Sequence, residues 1–344
     1  MKDPEPNDPW LTSEHDFPES ASLPERLRYL VGFAILAPSG HNTQPWLFAI
    51  GSQGLALLAD RSRALPVVDP EDRELIMSCG AALFHLTVAM RHYRMEPGVT
   101  LFPDESDLDL LARVEVAGVY DPTLEEERLF MAIKKRHTNR CPFLDQPVPD
   151  LELDSLRAAA ESSGARLDLF SDDNSKSALA SLIATGDRIQ ARNKHFRREL
   201  AAWLRPNRSY RSDGIPGYAM GVGDMKSRLG PFVVRTFDWG DGQAAKDEQL
   251  AAGSPVLAVL STDGDDHRSW LQAGMALDHV LLLAADYGIQ ASYLNQPIEV
   301  AELRRELVSI VGETRYPQIV LRMGYGTEDR RTPRRPASHV VVRE

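Results

Sequence analysis

Cysteine is nearly missing from this chain: its 344 residues hold two, Cys79 and Cys141. Neither belongs to a spaced metal or redox motif, and two thiols build no disulfide framework, so a reducing, cytoplasmic compartment is expected. Net positive charge is missing too. The formal charge of −11 argues against nonspecific nucleic-acid binding, which needs a basic face. No apolar run reaches the length of a membrane-spanning helix, so no membrane partner is expected. The opening MKDPEPNDPW has neither an apolar core nor twin arginines, and is not read as a secretion signal. No G-x-G-x-x-G follows a strand pattern and no G-x-S-x-G elbow occurs, which speaks against a Rossmann dehydrogenase and a serine hydrolase. No histidines stand at metal spacing. His85 and His92, seven apart on an apolar helix, read as structural, and no metal is expected.

What is present is an ordinary soluble composition, 43% hydrophobic, arranged in two similar halves. Residues 73–93 and 267–287 match at an offset of 194, where Gly80 meets Gly274, Ala82 meets Ala276, Leu83 meets Leu277 and Tyr93 meets Tyr287. Each segment carries apolar residues on more than one helical face, predicting a helix buried on most sides. The paired glycines would let two such helices approach closely. Leu55–Asp60 and Pro255–Leu260 precede these helices and read as strands; Leu111–Val116 and Gln318–Arg322 follow them and read likewise. Each half therefore reads helix, strand, central helix, strand. The expected organisation is a flexible tail over 1–22, a first unit over 23–120 and a second over 121–344. Within the second, Thr123 reads as an N-cap ahead of an acidic first turn. Residues 205–253, rich in glycine and proline, read as an irregular insert. Tyr210, Tyr218, Met220, Phe232, Phe237 and Trp239 make it a packed lid rather than a loose linker.

Two strings carry chemistry. Ala37–Trp46, APSGHNTQPW, closes a helical pattern and opens a strand. It crowds Ser39, His41, Asn42, Thr43 and Gln44 around Gly40 between Pro38 and Pro45, offering hydroxyl, amide and backbone donors to a polar ligand. His41 either stacks on a ligand or is a hydrogen-bonded turn residue. The second string, KKRHTNRCPF from Lys134 to Phe143, places Arg136, His137, Thr138 and Arg140 within five residues. Guanidinium forks beside a hydroxyl suit a phosphate dianion.

These strings resemble the PS-x-x-N-x-QPW and R-[HR]-[ST]-x-[KR] turns of the nitroreductase superfamily. With DPEDREL-x-x-SCGAAL at 69–83, the duplication and the closing TPRRP, the chain most resembles the Acg-like branch over roughly residues 24–340. The resemblance implies an α+β, nitroreductase-like fold, duplicated so that one chain mimics the family's homodimer, with a lid. It implies one FMN site, since the first string occurs only in the first unit and the phosphate string opens only the second. A monomer with one FMN is thus expected. By the same resemblance Pro38, Ser39, Gly40, His41, Asn42 and Gln44 bind the cofactor together with Arg136, His137, Thr138 and Arg140. Ser292, Leu294 and Asn295 lie near the flavin ring, and Arg334 or Arg335 completes the phosphate site. The implied activity is two-electron transfer from NADPH or NADH to a small-molecule acceptor such as a nitro compound or quinone, by ping-pong. The flavin carries the chemistry, so no catalytic side chain is named. A lid that excludes nicotinamide would instead imply a protein that stores or sequesters FMN.

Overall fold

The structure, a computed structural model, describes residues 8–312, 314–327 and 330–343. The first half runs α1 (Leu23–Ala34), β1 (Trp46–Ile50), β2 (Gly54–Ala59), α2 (Arg73–His92), β3 (Met95–Leu101) and β4 (Leu110–Val119). The second begins with α3 (Leu124–Ile133), α4 (Asp150–Ser162), β5 (Arg166–Phe170), α5 (Asp173–Arg192), α6 (Lys194–Trp203), β6 (Leu204–Arg205) and β7 (Ile215–Pro216). It continues with α7 (Asp224–Thr236), α8 (Gly240–Ala252), β8 (Val256–Thr262), α9 (His267–Asp286), β9 (Gln290–Tyr293), α10 (Gln296–Glu299), α11 (Ala301–Val311) and β10 (Tyr316–Gly324), and β11 (Val341–Arg343) closes the chain.

Two sheets thread their strands alike. One has the order β11-β1-β2-β4-β3 and the other β5-β8-β10-β9. Apart from the parallel pair β1–β11, every neighbouring pair in both is antiparallel. Helix α2 sits between β2 and β3 in sequence, and α9 holds the same place between β8 and β9. These two helices cross at the centre of the main core. A Cβ on Gly80 would stand 2.1 Å from the Leu271 carbonyl oxygen, and one on Gly274 would stand 2.0 Å from that of Met77. Only glycine allows two backbones to pass that closely. Polar pairs also fasten α2: His85 Nε2 lies 3.0 Å from Asp278 on α9, both fully buried, and His92 Nδ1 lies 2.6 Å from Glu127 on α3. α3 itself starts where its sequence predicts, with Thr123 and Glu126 forming a capping box. α2 is long and apolar enough to cross a membrane by composition alone, but 89% of its apolar window is buried within the fold.

The halves differ in what joins their first two strands. Three residues link β1 to β2, whereas 171–255 separate β5 from β8. That insert is larger and more regular than the irregular 205–253 expected. α7 and α8 are helices, and Pro231 is accommodated inside α7. α5 and α8 pack together, and α5 joins α10 and α11 on one face of the second sheet, around Leu179, Ile183, Leu257, Val259, Ile298 and Leu307. β8 is consequently buried at every position, as strands covered on both faces are. The aromatics expected to pack this segment divide. Trp239 and Tyr218 are partly buried, while Tyr210, Phe232 and Phe237 are exposed at 82%, 53% and 56%.

The described residues near both ends of the chain meet the first half. Residues 1–7 of the expected tail lie outside the described residues, but from Asp8 onward the segment is ordered by packing. Trp10 is buried and its indole N–H donates to the Thr332 carbonyl at 2.9 Å, and Phe17 stacks on Tyr93 at 4.0 Å. At the other end, β11 adds to the first sheet, which carries the run 330–336 back across the end of α1.

Candidate functional site

The turn after α1 is held in an unusual backbone conformation. Three non-glycine residues within four positions have positive φ: His41 at 48°, Asn42 at 54° and Gln44 at 55°. Each such residue costs about 1–2 kcal/mol, so neighbouring contacts must over-determine the shape. They do. Ser39 Oγ accepts from the Gln44 amide at 2.9 Å, and the Gly40 amide donates to Ser78 Oγ on α2 at 3.3 Å. Asn42 Nδ2 donates to the carbonyls of Gly214 (2.9 Å) and Pro333 (3.1 Å), while its Oδ1 accepts from Arg334 Nη1 at 2.9 Å. Gln44 donates to the Ser212 carbonyl at 2.8 Å and accepts from the Arg335 amide at 2.7 Å. One turn thus clamps the insert and the C-terminal run together.

The second string lies along β9. Thr138 bridges Ala291 in parallel fashion, and the Asn139 amide donates to the Ala291 carbonyl at 3.1 Å. Strand-like alternation then turns Thr138 and Arg140 to one side. Arg322 approaches from β10, where it pairs with Ser292. Its Nη2 donates to the carbonyls of Asn139 and Cys141, both at 3.0 Å, and its guanidinium stands 4.2 Å from the Phe143 ring centre. The loop after β9 is fixed by Asn295, which accepts from the Val320 amide at 3.0 Å and donates to Glu74 Oε1 at 3.1 Å.

These elements surround a cavity of about 580 Å³. Of the residues singled out in the sequence, Pro38, Ser39, Gly40, His41, Asn42, Thr138, Arg140, Ser292, Leu294, Asn295 and Arg334 line it. Four do not. Gln44 and Arg335 are turned inward, bonded to each other and, for Arg335, to the His339 carbonyl. Arg136 is buried, donates to the Leu36 carbonyl at 3.2 Å, and with His137 lines a separate pocket of about 280 Å³. Between the two C-terminal candidates, Arg334 reaches the cavity.

Sequence reasoning missed most of the charged lining. Arg322 is 1% exposed. Four carboxyl residues, Glu74, Asp187, Asp247 and Glu299, also line the cavity. A signal existed for two of them: Asp187 follows Ile183 by one turn on the buried face of α5, and Asp247 sits between Ala244 and Ala251 on that of α8. A carboxylate in such a stripe is out of place in a plain core.

Burial dominates the electrostatics here. It pushes Glu74 up to about 7 against the lowering influence of Arg73, and Asp187 up to about 8 with help from neighbouring Asp247. Asp247 is raised, and Glu299 is raised well above the usual range, by the same cause. Burial brings Arg322 down to about 10, and burial plus the Arg136 charge brings Arg334 down to about 9. Burial and then Arg140 hold His41 down to about 4, so it is neutral at pH 7. Several cavity-lining groups lack partners: Nε and Nη1 of Arg322, Nε of Arg334, the Tyr293 hydroxyl, Oδ2 of Asp187 and Oε1 of Gln296.

The profile of the Nitroreductase family matches residues 133–325, more than half of the chain. A Mycobacterium tuberculosis protein provisionally named NAD(P)H nitroreductase Rv3131 is 32% identical over 325 residues, covering 92% of this chain and 91% of that one. This chain belongs to the nitroreductase family. Another M. tuberculosis relative, provisionally named NAD(P)H nitroreductase acg, is 30% identical over 328 residues, covering 94% of this chain and 97% of its own. Among solved structures, the FMN-dependent nitroreductase NfnB from Mycobacterium smegmatis in complex with NADPH aligns at 19% identity and a TM-score of 0.41, over 62% of this chain and 96% of that one. The family profile begins at Ile133. The PSGHNTQPW turn therefore lies outside the matched stretch, and the tertiary structure brings it beside the matched residues.

Proposed function

We propose that this nitroreductase-family chain is an FMN-dependent oxidoreductase with one cofactor site, formed by both halves. The observation that carries the reading is the set of guanidinium N–H groups of Arg322 and Arg334 that line the cavity without protein acceptors. Buried donors in this state call for an anionic or carbonyl-rich ligand. A phosphate with a flat heteroaromatic ring fits this donor set. Thr138, Arg140 and Arg334 would hold the phosphate. The 38–42 turn and the Ser292, Leu294 and Asn295 loop would hold the ring. FMN, when bound, supplies two-electron redox chemistry. The chain's own residues bind it, orient it and keep water away from it. A reduced nicotinamide donor and a nitro or quinone-type acceptor would use the cavity in turn, by ping-pong.

The two like-threaded sheets, each with its central helix, support reading the chain as a duplicated unit that mimics a homodimer. The place in the second half equivalent to the turn, Glu161–Phe170, lacks the Asn, Gln and Trp of the first, so one site per chain and a monomer follow. A cytoplasmic location suits its cysteine content. A second reading, FMN sequestration, is favoured by one observation: Val233, Val234, Trp239 and Gln243 of the insert line the same cavity, so the insert could shut out a nicotinamide. The test is anaerobic addition of NADPH, then NADH, to purified protein. A yellow protein that bleaches is the oxidoreductase. A yellow protein that bleaches only with dithionite is the sequestering form. A protein that binds no FMN overturns both.

A further inference from the structure

Three of the four carboxyl residues of the cavity, Asp187, Asp247 and Glu299, have no task in holding an anionic cofactor, and they gather where α5, α8 and α10 meet. Gln296 Nε2 lies 3.1 Å from Asp187 Oδ1 and 3.0 Å from Asp247 Oδ2, so one amide donor serves two acids. Gln243 Nε2 gives Asp247 a second bond at 2.9 Å, and Gln190 Nε2 donates to Glu299 at 2.5 Å. Asp187 is 3% exposed, and its second oxygen receives no hydrogen bond. Gln296 Oε1 likewise has none. Both residues line the cavity. Burial holds a proton on Asp187, which it shares with Asp247; once that proton leaves, acceptors outnumber donors on this wall, and the wall faces open space large enough for a ligand.

We propose that the wall formed by Asp187, Asp247, Gln296 and Glu299 is a subsite for an organic cation, an amidinium- or ammonium-bearing group on the acceptor molecule. This rests on the reading of the cavity as the site where cofactor and acceptor meet. Such a group brings several N–H donors and a positive charge to three neighbouring carboxyl groups, and an amidinium matches paired carboxylate oxygens with two parallel bonds. Among the described residues no group of His, Cys, Asp and Glu is arranged to hold a metal ion.

Four protein cations lie near the wall. Arg188 on α5 pairs with Asp241 at 3.5 Å. Arg322 on β10 gives Nη2 to the Asn139 and Cys141 carbonyls, while its Nε and Nη1 stay without acceptors and its charge reaches Asp247. Arg73 on α2, facing Glu299 along with Asp69 and Glu74, bonds the Gln318 carbonyl at 2.6 Å. Lys246 on α8 is exposed, lines the cavity, and its charge also reaches Asp247. With no cation bound, burial keeps Asp187 protonated at neutral pH. A bound cation favours the ionised form, so binding releases protons and tightens as pH rises towards 8.

The probe is benzamidine, with benzamide as its neutral counterpart, titrated calorimetrically into the whole protein as purified. The runs are made at pH 6.5 and 8.0 in two buffers of different ionisation enthalpy. Benzamidine is expected to bind at least about tenfold more tightly than benzamide, more tightly at the higher pH, and with proton release. Asp187→Asn with Asp247→Asn should remove most of that preference. Equal affinity for the two probes in the parent protein, which needs no variant, would overturn the proposal. So would an unchanged preference in a folded double variant. The same sample reports the cofactor reading separately by its colour and FMN content. Benzamidine selectivity in a colourless protein keeps the subsite and removes the flavin, and a yellow protein without selectivity does the reverse.

Discussion

Replacing Gly274 with alanine tests how the fold positions the cavity. The added Cβ would lie 2.0 Å from the Met77 carbonyl oxygen and 2.7 Å from its carbon. Both are backbone atoms of α2, so no side-chain rotation relieves the contact. The two helices must part by on the order of 1 Å to restore ordinary van der Waals separation. Overpacking costs about 1–3 kcal/mol, and a rigid helix backbone places this case at the upper end. With an unfolding entropy of about 2.1 cal/mol/K per residue, a chain of 344 residues loses roughly 1.4 °C per kcal/mol, so the midpoint should fall by about 4 °C. Function should move with it, because Met77, Ser78 and Ala81 of α2 and Leu277 of α9 line the cavity. Thermal melting by circular dichroism and FMN titration by fluorescence quenching read both effects. Gly242→Ala on α8, where a Cβ meets nothing within 4 Å, is the control and should melt no lower than the parent. A Gly274→Ala protein that melts within a degree of the parent would refute the close-crossing argument.

Other expectations separate the roles of the basic residues and the acids. Arg334→Ala should weaken FMN binding by roughly 10- to 100-fold, the size of one or two lost charge-assisted bonds, whereas Arg136→Ala should retain FMN; the opposite ranking in an equilibrium dialysis would move the phosphate to the other pocket. Asn42→Ala removes the acceptor for Arg334 and the ties to Gly214 and Pro333, so it should alter the flavin spectrum or affinity, and an unchanged pair of readings would count against the clamp. Asp187 is raised to about 8, so the native state binds a proton that the unfolded chain has lost above pH 4, and stability falls as pH rises from about 4 to 8. Asp187→Asn should flatten that fall by about 2–3 kcal/mol between pH 5 and 7, read as a smaller drop in melting temperature; parallel curves would mean that the carboxyl is ionised in the native state. Trp239→Ala opens the insert's side of the cavity and should speed bleaching by dithionite in stopped flow, and an unchanged rate would argue that the insert is no barrier.

Local patterns determined much of this protein. Apolar periodicity marks α2 and α9 as buried helices, and the matched Gly80 and Gly274 mark their crossing, because a close backbone approach has one residue that permits it. Thr123 with Glu126 sets the start of α3, since capping is a contact within four positions. The polar turn at 38–44 and the Thr138–Arg140 pair are legible for a similar reason: each is a short run whose residue types suit few other purposes.

Tertiary structure decided the rest. Whether Arg136 or Arg140 faces the cavity depends on the bridge between Thr138 and Ala291, a pairing 153 positions apart in the sequence. Arg334 rather than Arg335 lines the cavity because Gln44, at the far end of the chain, binds the Arg335 amide and offers its carbonyl to the side chain. Residues 243–252 of α8, QAAKDEQLAA, are strong helix formers hidden among glycines and prolines, but the surface of α5 that α8 packs on comes from tertiary structure. The acid wall is the least legible feature. Asp187, Asp247 and Glu299 come from three separate helices, and the burial that shifts their protonation exists only once those helices have met.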